Sequence, residues 1–148
     1  MKNLLAVASS GGHWIQLSRL TPAFKGFYVS YLTTNPAHKR EVDGHFYSVI
    51  DANQWQKIRL LFMFVQVAWV IMRSRPDVVI TTGAAVGFAA LMFGKLIGAK
   101  TVWIDSIANA EELSGSGARV GRWADIWLTQ WEHLANTDDG PDFWGSVL

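Results

Sequence analysis

The chain has no cysteine, so a disulfide framework, thiolate catalysis and a cysteine-bound zinc are all excluded. Its four histidines, at positions 13, 38, 45 and 133, show no spacing of the H-x3-H kind, and no metal is expected. Charge is scarce: 17% of the residues are charged, against roughly 25% in an average soluble protein. Thirteen basic residues face twelve acidic ones, and a net charge of +1 gives no global electrostatic case for nucleic acid. The first apolar run, residues 4–8, is five residues long, short of the roughly 7–15 of a secretory signal. It is expected to be the first strand of a cytosolic protein. The G-x-G-x-x-G fingerprint of nicotinamide binding is absent after it, which argues against a dehydrogenase.

What is present is apolar. Half of the 148 residues are hydrophobic, enough for the core of one domain but not of two. Tryptophan stands at positions 14, 55, 69, 103, 123, 127, 131 and 144, many for this length. Indoles fill cores, and they also gather at protein interfaces and at the membrane–water boundary, uses that suit a charge-poor surface.

The stretch Ser9-Ser10-Gly11-Gly12-His13-Trp14 follows the first strand, and Trp14, Leu17 and Leu20 then recur at helical spacing. The two glycines therefore sit at a strand-to-helix turn, where backbone N–H groups and the helix dipole favour phosphate or diphosphate. His13, one residue into the turn, is placed to bond a phosphate oxygen or to take a proton from a hydroxyl. A tight turn carrying a solvated histidine is the plain alternative.

Downstream, periodicity predicts a helix over 14–24, strands over 27–33 and 45–51, and a long helix over 55–74. A strand over 77–82 ends at Gly83, followed by a small-residue helix over 84–98 and a strand over 100–106. Residues 107–117 read as a loop, 118–124 as a short helix and 125–131 as a sixth strand. The alternation predicts an α/β fold over residues 1–131, a Rossmann-like parallel sheet of about six strands with helices on both faces. Residues 132–148 read as an acidic tail with exposed aromatics, suited to docking a partner. In such a sheet ligands bind beyond the carboxyl ends of the strands, where Asp105 and Ser106 stand, although a structural cap explains Asp105 equally well. Ser114, Ser116 and Gly117 offer hydroxyls and backbone donors to a phosphate, and a plain flexible loop has the same composition.

Within the long helix, residues 60–72 are apolar almost all round. Thirteen residues span about 20 Å against a hydrocarbon core of about 30 Å, so a membrane crossing is not expected. An interfacial helix is, with Phe62, Phe64 and Trp69 at the acyl boundary and Lys57, Arg59 and Arg73 meeting anionic head groups. Burial against a partner chain is the alternative.

Five elements occur in a familiar order: Ser10-Gly11-Gly12-His13; Pro76 to Ile80 leading to Thr82-Gly83; Val102 to Ser106; Leu113-Ser114-Gly115-Ser116-Gly117; and Ala124-Asp125 through Thr129-Gln130-Trp131. In this the chain resembles, over nearly its whole length, the acceptor-side, membrane-associated subunit of the two-chain UDP-N-acetylglucosamine transferase of asparagine-linked glycosylation. Bacterial homologues in capsule and exopolysaccharide synthesis share the pattern. The resemblance implies the amino-terminal half of a GT-B glycosyltransferase, with a separate donor-binding subunit as partner. It implies transfer from a UDP-sugar to a polyprenyl-diphosphate-linked glycan at the cytoplasmic face of the membrane, with no cofactor and the donor held mainly by the partner. On the same resemblance Ser10, Gly11, Gly12 and Gly83 lie near the acceptor diphosphate, His13 is the candidate base, and Asp105 or Glu112 is a second candidate. The chain departs from the pattern where Asp105 replaces a frequent glutamate and Glu132 a frequent proline. The eukaryotic subunit carries a membrane-spanning segment ahead of its first strand, a role that would fall here to residues 60–72. Two other functions compete: a non-catalytic membrane scaffold for a glycosyltransferase, and a free-standing nucleotide-binding module.

Overall fold

Alternating contacts along the first strand set the layers of the fold. In β1 (Lys2–Ala8), Leu5 and Val7 belong to one core, and Leu4, Ala6 and Ala8 to another on the opposite face of the sheet. A strand buried on both sides needs cover on both, and the chain supplies it with helices. α1 (Gly12–Arg19) lays Trp14 and Leu17 on one face, while α2 (Lys57–Ser74) and α3 (Ala84–Leu96) cover the other. The computed structural model describes residues 1–136 and 138–147.

The remaining strands are β2 (Phe27–Thr33), β3 (His45–Ser48), β4 (Val78–Thr81), β5 (Lys100–Ile104), β6 (Ile126–Thr129) and β7 (Asp142–Phe143). They form one parallel sheet in the order β3-β2-β1-β4-β5-β6-β7. This is the Rossmann-like class expected, with one strand more. The extra strand comes from the expected tail: Asp142 pairs with Leu128 and Phe143 with Thr129.

Local chemistry explains several boundaries. The expected first helix stops at Arg19 and continues as a 3-10 turn, Thr21–Phe24, because Pro22 at its start supplies no N–H. α2 starts behind Asn53, whose Oδ1 accepts from the N–H groups of Trp55 and Gln56. It ends at Arg75 in the left-handed conformation (φ 45°) ahead of Pro76. The short helix expected over 118–124 is a run of turns instead. Gly121 breaks it, packed so closely that a Cβ there would lie 2.9 Å from the Trp127 ring. Helix α3 approaches the sheet through its glycines: a Cβ on Gly87 would lie 2.2 Å from Thr81 Oγ1, and one on Gly94 would lie 2.8 Å from Val79.

Candidate functional site

Winding reverses between β1 and β4. From β1 the chain proceeds to β2 and β3 on one side, and from β4 to β5 on the other, so the loops leaving β1 and β4 diverge and open a crevice. Both loops end in a glycine with positive φ, Gly11 (77°) and Gly83 (132°), and each begins a helix that has no side-chain cap. The first N–H groups of α1 and α3 are therefore left for a ligand. Ala84 follows with φ 68°, a left-handed conformation that costs a residue with a Cβ about 1–2 kcal/mol. Strain of this kind collects where a backbone must meet a ligand.

His13 stands between the two loops. Its Nδ1 lies 3.0 Å from the carbonyl oxygen of Thr82, and Thr82 Oγ1 donates in return to the His13 carbonyl at 2.6 Å. A carbonyl only accepts, so Nδ1 carries the proton in the neutral ring and Nε2 keeps its lone pair. Gly83 lies against the imidazole, where a Cβ would come within 2.8 Å of Cε1. The glycine is thus required by both its backbone angle and its neighbour.

The crevice has a volume of about 630 Å³, and its lining includes Ser10, His13, Asn53, Trp55, Ser114 and Ser116. Ser10 is fixed by a network the sequence did not announce. Its N–H donates to Thr34 Oγ1 (3.3 Å), and its Oγ accepts from Asn35 Nδ2 (3.4 Å) and bonds His38 Nε2 (3.2 Å). His38 in turn stacks on Trp14 at 4.4 Å and pairs with Glu41. Thr34, Asn35, His38 and Glu41 come from the connection between β2 and β3, where Pro36–Glu41 forms a 3-10 turn. Asn53 and Trp55 reach the crevice from the loop before α2.

Asp105 is buried and held by its neighbours. It is 1% exposed, and its Oδ1 accepts from Trp103 Nε1 (3.1 Å) and Ser114 Oγ (2.6 Å), while Oδ2 accepts from Ser114 N–H (3.0 Å). Ser114 Oγ also accepts from the Gly117 N–H, so the carboxylate ties down the loop that forms one wall of the crevice. Gly117 is buried behind that wall, outside the crevice lining. Ser106 also turns inward: its Oγ accepts from Gln16 Nε2 and from the Ala108 N–H. Gln130 Nε2 donates to both Gln16 Oε1 and the Asp105 carbonyl, and Gln130 Oε1 accepts from the Val147 N–H. The Gln-Trp pair thus joins β5, β6 and the end of the chain. Glu112 is exposed and lies outside the crevice lining. Among the described residues, no group of three or more histidines and carboxylates lies close enough to hold a metal ion.

On α2, Ile58, Leu61, Phe62, Val65, Trp69 and Met72 form an exposed apolar stripe, each at least 59% exposed. Lys57, Arg59 and Arg73 are exposed near its ends, with Arg59 donating to the Asp51 carbonyl. Phe64, two residues from Phe62 and hence about 200° around the helix, does not share the stripe. It turns inward to meet Phe93 edge-on at 6.2 Å. Among the described residues no helix is long and apolar enough to cross a membrane.

The parallel sheet with its crevice at the point of reversal is a Rossmann-like fold shared with parts of larger solved structures. The solved structure of MurG from Acinetobacter baumannii superposes with a TM-score of 0.79 at 16% identity, over 99% of this chain and 46% of that one. UDP-N-acetylglucosamine 2-epimerase from Rickettsia bellii gives 0.70 at 14% identity, covering 90% and 40%. MnaA from S. aureus, solved with UDP, gives 0.66 at 17%, covering 88% and 38%. The chain spans less than half the length of each of these three structures. Among curated proteins none matches the sequence significantly. Residues 48–147 match the family described as oligosaccharide biosynthesis protein Alg14 like, and the chain belongs to that family.

Proposed function

We propose that this chain is the acceptor-binding half of a divided GT-B glycosyltransferase. It binds a polyprenyl-diphosphate-linked glycan at the cytoplasmic face of the membrane, and a separate subunit brings the UDP-sugar. The observation that carries the reading is His13, whose Nδ1–H is committed to Thr82 and whose Nε2 lone pair is left at a crevice flanked by two uncapped helix starts. The helix starts, with Ser10 and Ser116, suit the acceptor diphosphate. His13 Nε2 takes the proton of the acceptor hydroxyl as its oxygen attacks the anomeric carbon of the donor. The bond from that carbon to the UDP oxygen breaks, and UDP leaves with the electron pair. Placed general bases of this kind contribute roughly 10²–10⁴-fold. The exposed stripe of α2, with its flanking cations, supports attachment to an anionic membrane surface.

A second reading, a non-catalytic membrane scaffold, is favoured by one observation: Asp105 is buried in hydrogen bonds and Glu112 lies outside the crevice, so neither joins His13 there, and the carboxylate in the lining is that of Asp51. Labelled UDP-sugars are offered with a polyprenyl-diphosphate-sugar acceptor to this chain, to the product of its neighbouring reading frame, and to both. Transfer only in the mixture supports the divided enzyme and identifies the sugar. Full activity of the neighbour alone contradicts it and supports the scaffold.

A further inference from the structure

The polar crevice continues into an apolar recess. Gln54 at the crevice edge, and Ala85, Gly115 and Ser116, also line a second pocket of about 170 Å³, whose other walls are Leu60 and Phe64 of α2, Phe88 of α3, and Arg119. Phe64 is held there by its edge contact with Phe93, so this wall is continuous with the core. The next face of α2 is the exposed apolar stripe. A polar crevice and an apolar recess that carries one cation, Arg119, in its lining therefore adjoin over a short stretch of surface. That sequence of environments fits a diphosphate that carries a hydrocarbon chain.

We propose that the pocket between α2 and α3 receives the first isoprene unit of the acceptor lipid, with Arg119 against the diphosphate where the pocket meets the crevice. The inference rests on the reading above that the acceptor is a polyprenyl diphosphate. Size supports one unit and not a whole chain: an apolar cavity of about 150 Å³ holds benzene, so 170 Å³ accommodates a five-carbon group. The remaining units then pass along the exposed side of α2 toward the bilayer. The head group reaches His13 while the tail stays in apolar surroundings.

The test compares the affinity of the full chain for geranyl diphosphate and for inorganic diphosphate by calorimetry. Geranyl diphosphate is expected to bind about ten-fold tighter or more, since apolar carbon leaves water. Leu60→Trp, which fills the recess, brings the ratio toward one, whereas Arg119→Gln weakens both probes. Equal affinities, no binding of either probe, or a ratio unmoved by Leu60→Trp overturns the assignment. The wild-type ratio decides even if the variant fails to fold. A sugar-transfer assay separates the two claims. Equal use of methyl-diphosphate and prenyl-diphosphate sugars by the paired enzyme removes the pocket and leaves the transferase. No transfer to either, with the geranyl preference intact, removes the transferase reading and leaves the site.

Discussion

Gly117 shows how a single position holds the wall of the crevice. A Cβ there would lie 2.2 Å from Asp105 Oδ1, the atom that also accepts from Ser114 and Trp103. Gly117→Ala is expected to displace the Ser114 loop and to cost about 1–3 kcal/mol in denaturant unfolding. Gly115→Ala, with nothing within 4 Å of its added carbon, should change stability by less than about 0.5 kcal/mol. An equal loss in both would mean that the loop is not fixed through Asp105. At this scale the sequence showed part of the site. Strand, glycines and helical spacing placed His13 at a turn, but its partner Thr82 lies 69 residues away and no local pattern reports it. The position of Asp105 at a strand end was legible, whereas its burial depends on Ser114 folding back over it, which only tertiary structure decides.

Among the elements, α2 was the most legible and the one most in need of its partners for interpretation. Its length and apolar character are evident in the sequence, but which apolar residues face the core depends on the sheet and on α3. Phe64 is the instructive case, grouped with Phe62 by composition and separated from it by rotation. If the exposed stripe meets lipid, Leu61→Asp with Phe62→Asp should reduce flotation with anionic vesicles by at least about ten-fold, since each apolar side chain contributes about 1.5–3 kcal/mol when buried. Unchanged flotation would assign the stripe to a protein partner. The junction of α3, β5 and β6 gives a prediction in pH. Burial acts to raise the pKa of Asp125, but bonds from Lys95 and Thr101 outweigh it and hold the carboxyl below its usual range. A lowered folded-state pKa stabilises above the unfolded value of about 3.9, and that contribution is lost as pH falls through the folded value. Asp125→Asn should therefore cost about 1 kcal/mol at pH 7, with the difference closing as pH falls through the lowered folded value, as read from urea midpoints across pH. A gap that persists in acid would show that packing, not charge, is responsible.

For the whole molecule, the strand order explains why the crevice lies where it does. The reversal between β1 and β4 is a consequence of topology, and alternating strands and helices were enough to predict a parallel sheet. The seventh strand was not legible, because two residues paired at an edge carry no periodicity. The proposed transfer requires a donor-binding subunit in addition to this crevice. The central claim is that His13 Nε2 accepts a proton at this crevice. It is tested most directly by the turnover of the paired enzyme carrying His13→Ala, with complex formation measured on the same sample. A fall of roughly 10²–10⁴-fold with the complex intact is the result predicted here. Undiminished turnover in an intact complex would contradict it.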